Sequence, residues 1–156
     1  MCIRDRVYTD EGEQLLNTGG GIVNALPHLS DDCFVVINAD VFTDYTIESM
    51  SLSNRSAHLI MVDNPSYYSN GDFYLDKTQV RLSGGQSLTF SGISYYTPSF
   101  FDQQTATHFS LVDLLKRKIT QGLVSGTHYH GMWIDIGTVQ RLTRLQQSYE
   151  NTPNNC

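Results

Sequence analysis

The run Cys33-Phe34-Val35-Val36-Ile37-Asn38, followed at once by Ala39-Asp40, is the stretch on which the fold turns. An unbroken apolar run that stops in turn-forming residues reads as a strand buried on both faces, as in a parallel sheet covered by helices. Residues 58–62, His-Leu-Ile-Met-Val, repeat the pattern. Helical stretches alternate with these strands. Residues 109–121 carry apolar side chains at 111, 112, 114, 115 and 119, one face of a helix that Gly122 stops. Residues 139–149 form a closing helix with Leu142 and Leu145 on one face. This alternation predicts a three-layer α/β domain with a mostly parallel, mixed sheet and an antiparallel hairpin insertion.

Shorter pieces fill the order in. Residues 7–9 read as the end of a strand, followed by a polar turn at 10–13. Thr18 or Asn17 caps a short helix that runs through Gly19-Gly20-Gly21 and Ile22-Val23 to Pro27. A helix over 43–50 is expected, capped by Thr43 or Asp44. Residues 73–75 and 79–82 pair as a hairpin around Asp76-Lys77-Thr78. Residues 88–96 form a long strand interrupted at Gly92, and 123–129 and 132–136 form short strands around Gly131.

The chain has 156 residues, enough for one ordinary domain or most of one. Charged residues are 17%, while nine Tyr, seven Phe and one Trp supply large core pieces, which argues against disorder. A net charge of −6 speaks against a general nucleic-acid binder. No apolar run approaches the ~20 residues of a membrane helix. Cys2, Cys33 and Cys156 form no C-x-x-C pair, so a zinc ribbon or thioredoxin-like site is excluded, and Cys33 reads as a small buried hydrophobe. Residues 1–6 are polar, with no apolar core of a secretory signal, and the default compartment is the cytoplasm. These six read as a non-native leader, residues 7–150 as a partial domain and 151–156 as a frayed tail.

Between Arg6 and Arg55 there is no Lys or Arg, yet Asp10, Glu11, Glu13, Asp31, Asp32, Asp40, Asp44 and Glu48 lie there. Such a stretch is either a solvated acidic face or a place where some acids await divalent cations. Sheets of this class bind ligands beyond the carboxyl ends of their strands, which picks out residues just after Ile37 and near Ile134. Asp40 follows the first buried strand, where a carboxylate holds Mg²⁺ or simply caps a turn. Asp135 lies in Trp133-Ile134-Asp135-Ile136-Gly137-Thr138, and an acid among apolar residues needs a partner, either a cation or the next helix N-terminus. Thr18-Gly19-Gly20-Gly21 offers bare backbone to a flat base or a phosphate, or serves as a flexible linker. Gly71-Asp72 ends a loop, and Ser91-Gly92 marks a bulge or a backbone pressed against a ligand. His128 and His130 share one strand face, but no third ligand stands at a diagnostic spacing for zinc. Lys116-Arg117-Lys118 suits a solvated helix C-terminus.

These pieces together resemble a known family. The residues that carry the likeness are Asn17-Thr18-Gly19-Gly20-Gly21-Ile22, Phe34 to Asp40, Asp63-Asn64-Pro65 with Gly71-Asp72-Phe73, Thr89-Phe90-Ser91-Gly92-Ile93, and Gly131 to Thr138. They are similar to the sugar-phosphate nucleotidyltransferases, nearest to the bacterial N-acetylmuramate-1-phosphate uridylyltransferase branch of peptidoglycan recycling. The resemblance implies a Rossmann-like nucleotidyltransferase fold. It also implies transfer of a nucleotidyl group from a nucleoside triphosphate, UTP in this branch, to a sugar-1-phosphate, with release of pyrophosphate. On the matching positions, Asp40 and Asp135 would hold Mg²⁺ and be catalytic. Thr18, Gly19 and Gly20 would line the nucleobase pocket, Gly71, Asp72, Ser91 and Gly92 would approach the sugar, and Asn38 would also bind substrate. The family also has an opening strand with an Arg-bearing glycine-rich loop and a Lys-Pro pair that wrap the triphosphate. This chain reads as starting about one third of the way into that fold, and is therefore expected to be inactive alone and to expose a sheet edge. Asn17 stands where relatives commonly carry Glu, and Tyr67-Tyr68 where the branch often has His-His. A GDP-mannose or glucose-1-phosphate type enzyme and a non-catalytic nucleotide-sugar-binding domain are the alternatives.

Overall fold

Leu59 and Met61 point one way from their strand and Ile60 the other, and all three are almost wholly buried. Side chains alternate across a strand, so this sheet is covered on both faces. The structure, a computed structural model, describes residues 6–150, with side chains through residue 147. The tail, most of the expected leader, Cys2 and Cys156 lie outside the described residues.

Among the described residues, eight strands and three α-helices follow in order: α1 (Asn17–Ala25), β1 (Phe34–Ile37), β2 (Val41–Thr43), β3 (Ala57–Val62), β4 (Phe73–Asp76), β5 (Gln79–Arg81), β6 (Gln86–Tyr96), α2 (Leu111–Thr120), β7 (Val124–His128), β8 (Trp133–Asp135) and α3 (Val139–Glu150). The main sheet has the order β1-β6-β3-β7-β5-β4, and β2 pairs with β8 in a separate two-stranded sheet. On one face, Ile22 of α1 and Leu111, Leu114, Leu115 and Ile119 of α2 pack on Phe34, Leu59, Met61 and Tyr96. On the other, Ile60, Ile93 and Tyr95 are covered by Leu52, with Val41, Tyr45 and Tyr129 against them. The three layers are thus helices, main sheet, and a cover made of the small sheet with the segment before Leu52.

The sheet is mixed. β1 and β3 each run against β6, so they share one direction, and β7 joins them through the parallel β3–β7 pairing. The other direct pairings are antiparallel, a larger share than the apolar runs alone suggest. The reason is β6, an 11-residue strand that inserts between β1 and β3. Among the described strands β1 sits at an edge, and only Phe34 of its four residues is fully buried. A short apolar run has the same appearance at an edge as at the centre.

Other expectations change in detail. Residues 44–50 form no helix. Thr43 is the last residue of β2, opposite Trp133, and its hydroxyl donates to the Met132 carbonyl at 2.7 Å. Tyr45 is then drawn across the sheet, edge-on to Tyr129 at 5.1 Å between ring centres, so tertiary contacts override local helix signals. Residues 7–9 have no strand partner and are irregular. The N-cap of α1 is Leu16 and not a polar side chain, while Asn17 takes φ +60° and its Oδ1 accepts the Thr18 N–H at 2.6 Å. The β4–β5 hairpin, the Gly122 stop after α2 at φ +73°, and the interruption at Gly92 are all present. Around Gly92 the β3–β6 register shifts between Leu59 and Met61, which is a bulge.

Candidate functional site

The small sheet creates the site. Val41 stands opposite Asp135 in the β2–β8 ladder, so Asp40, one residue before β2, and Asp135, the last residue of β8, meet at one end of it. The Asp40 carbonyl extends the ladder by accepting the Ile136 N–H at 2.8 Å. A Cβ built on Gly137 would lie 2.9 Å from Asp40 Oδ2 and 3.0 Å from Asp135 Oδ1. The two carboxylates are therefore within about 6 Å of each other across a hollow that only a glycine leaves open. Asp135 is held from two sides: its Oδ1 accepts the Gly137 N–H at 2.8 Å, and its Oδ2 pairs with the Arg141 guanidinium in the first turn of α3. Among the described residues the Asp40 carboxylate takes no hydrogen bond or ion pair.

In front of these carboxylates lies a cleft of about 370 Å³. Asn38, Asp40, Asp72, Ser91, Gly92 and Asp135 all line it. The Gly92 carbonyl accepts the Asn38 N–H at 2.9 Å, and a Cβ on Gly92, at φ +80°, would sit 2.9 Å from the Asn38 amide. The bulge therefore holds the Asn38 side chain in place. Asp72 Oδ2 accepts the Phe90 N–H at 2.8 Å. Ser91 turns its buried hydroxyl to the Ile93 N–H at 3.2 Å, and its carbonyl accepts the Trp133 indole N–H at 2.8 Å. Gly71 lies behind this wall: at φ +65°, its absent Cβ would meet Asn64 Oδ1 at 2.6 Å. Its role there is the turn that delivers Asp72.

Thr18 faces elsewhere. With Ile22, Val35 and Val36 it lines a separate groove of about 600 Å³ beside the β1 edge. Gly19 and Gly20 are buried, and Cβ atoms on them would strike Phe109 and the Thr107 carbonyl. Their bare Cα atoms admit the segment before α2 rather than leaving a surface open.

Tyr67, Trp133 and Arg141 also line the cleft, and none of them was singled out from sequence as a site residue. The Arg141 guanidinium lies 4.4 Å from the Tyr67 ring centre while pairing with Asp135. Burial, aided by the Asp135 charge, raises the Tyr67 phenol pKa, and Arg141 partly offsets this. A sequence signal for Arg141 did exist. A cation in the first turn of a helix opposes the helix dipole and needs an anion nearby, and Asp135 is six residues before it.

No family model matches the chain. It is 38% identical over 149 residues to the N-acetylmuramate alpha-1-phosphate uridylyltransferase of Neisseria meningitidis serogroup B, covering 89% of the chain and 64% of that relative. The enzyme of the same name from Caulobacter vibrioides is 26% identical over 149 residues, covering 86% of the chain and 62% of the relative. The chain thus spans just under two thirds of the length of both. Among solved structures, HddC from Yersinia pseudotuberculosis complexed with GMP-PN superposes with a TM-score of 0.65 at 21% identity, covering 89% of this chain and 64% of that one. UDP-glucose pyrophosphorylase complexed with UDP-glucose gives 0.63 at 12% identity, covering 88% and 63%. The chain shares the mixed-sheet α/β fold of these solved structures. Over most of its own length the chain is thus similar to enzymes named N-acetylmuramate alpha-1-phosphate uridylyltransferases.

Proposed function

We propose that the chain carries the metal-binding and sugar-binding part of an enzyme that transfers a uridylyl group from UTP to N-acetylmuramate 1-phosphate, releasing pyrophosphate. The observation that supports this most strongly is the hollow over Gly137, flanked by oxygens of Asp40 and Asp135. Two carboxylates so close repel each other unless a cation or proton lies between them. All-oxygen donors at an open site suit Mg²⁺, which keeps several waters and binds phosphates. Bound there, Mg²⁺ would neutralise charge developing on the transferred phosphoryl group.

The chain's own residues do the rest by positioning. Arg141 fixes one Asp135 oxygen, which leaves the side facing Asp40 for the cation. Asn38, Asp72 and the Ser91-Gly92 bulge form the wall assigned to the sugar, where their polar groups orient its hydroxyls for in-line attack by the sugar phosphate. The nucleobase is assigned to the groove that Thr18 lines, while Gly19 and Gly20, buried against Phe109 and Thr107, shape that groove from behind rather than touch the base. The likeness to the uridylyltransferases favours UTP, a role in peptidoglycan recycling and a cytoplasmic setting.

The test is calorimetric titration of the chain with UDP-N-acetylmuramic acid, the product of the proposed reaction. Saturable binding that needs Mg²⁺ and weakens at least about tenfold in Asp40→Asn and Asp135→Asn is expected, since charged hydrogen-bond and metal partners are worth about 1.5–3 kcal/mol each. Mg²⁺-independent binding, or binding by both variants as tight as by the unaltered chain, would overturn the assignment. Parallel titrations with GDP-mannose and UDP-glucose decide base and sugar.

A further inference from the structure

Three side chains outside the proposed Mg²⁺ site converge at the carboxyl ends of the two parallel strands. Asp63 follows β3 directly, and His128 is the last residue of β7. The parallel register sets Met61 opposite His128, which brings both strand ends to the same rim of the sheet. His130 follows two residues later, and its ring centre lies 3.9 Å from that of His128. His128 Nε2 is 3.0 Å from Asp63 Oδ1, and one donor atom from each of the three lies within 4.8 Å of the others. His128 is 14% exposed and Asp63 76% exposed, so one ligand is fixed by the fold and another meets solvent.

The Asp63–His128 pair alone would be an ordinary ion pair. The second imidazole laid against the first is what an ion pair does not need. Two ring nitrogens and one carboxylate oxygen form a donor set for a transition metal. Zinc takes such ligands at about 2.0–2.2 Å, and Mg²⁺ prefers oxygen alone. Donors around a tetrahedral ion stand about 3.4 Å apart, so small rotations of the exposed Asp63 and His130 suffice to close the set.

We infer that Asp63, His128 and His130 form a second metal site, selective for zinc-like divalent cations over Mg²⁺. It lies on the rim of a groove of about 460 Å³ that Asp63 shares with Tyr67, Asp135 and Arg141. An ion there ties the start of the 63–71 loop to the end of β7 beside the cleft. The sequence showed the two histidines. The third donor, Asp63, stands just past β3 and 65 residues before His128, so only the fold reveals it.

The test uses the purified chain after chelation and dialysis. Titration with Zn²⁺ by calorimetry, and with Co²⁺ by visible absorption, is expected to give one equivalent that millimolar Mg²⁺ does not displace. His130→Gln and Asp63→Asn, both at exposed positions, are each expected to weaken Zn²⁺ at least about tenfold, the scale of changes around metal ligands. Circular dichroism melts confirm that both variants remain folded, and His128→Ala serves as a third probe. Asp40→Asn is expected to leave Zn²⁺ affinity unchanged. Absence of binding to 1 equivalent, or Zn²⁺ affinity in His130→Gln and Asp63→Asn equal to that of the unaltered chain, overturns the inference.

Discussion

A methyl group on Gly137 would press on both Asp40 and Asp135 yet touch nothing that holds the fold. Gly137→Ala is therefore expected to weaken the proposed Mg²⁺-dependent nucleotide-sugar binding at least about tenfold, while stability from urea unfolding changes by no more than ~0.5 kcal/mol. Gly92 makes the opposite case. At φ +80° with Asn38 against it, Gly92→Ala must accept left-handed backbone and a clash, and a loss of about 1–3 kcal/mol in urea unfolding is expected. At this scale Asp40 and Asp135 were legible because each acid ends or follows an apolar run. Tyr67 was not, because its value lies in a stacked contact with Arg141 from another element, which no local pattern encodes.

Helix α2 was legible almost whole, since its apolar positions follow a 3.6-residue period and Gly122 ends it. The structure ranks those positions. Leu115 is fully buried between α2 and the sheet, and Val112 is 44% exposed. Leu115→Ala is expected to cost about 2–5 kcal/mol in urea unfolding, and Val112→Ala less than ~0.5 kcal/mol. The segment after β2 was misread for a related reason. Its polar caps suit a helix, but Thr43, Tyr45 and Leu52 are spent on bonds to the small sheet and on cover for the second core. Strand direction was equally beyond local reading, because the run that became β1 carries no mark that its neighbour is β6 in reverse.

Over the whole molecule, the half-buried imidazole of His58 on β3 couples stability to pH. Its nitrogens bond the Ser125 and Thr127 hydroxyls of β7 at 2.9 and 3.0 Å, and burial lowers its pKa below the usual 6.5. As pH falls through ~6.5 the unfolded chain takes the proton first, so stability declines until the pH passes the lower folded value. Urea midpoints measured from pH 7.5 to 5 are expected to fall, and His58→Gln is expected to flatten part of that fall. The same view joins the two sheets. The Asp40–Asp135 pair stands on one plate, while Ser91 and Gly92 stand on the other. The bonds between them include the Trp133 indole on the Ser91 carbonyl and the contact of the Tyr45 and Tyr95 hydroxyls. Each such bond is worth about 0.5–1.5 kcal/mol, and the apolar seam of Val41, Tyr45 and Tyr129 on Ile60, Ile93 and Tyr95 adds to it, so the two walls keep their spacing and a ligand meets a mouth already set.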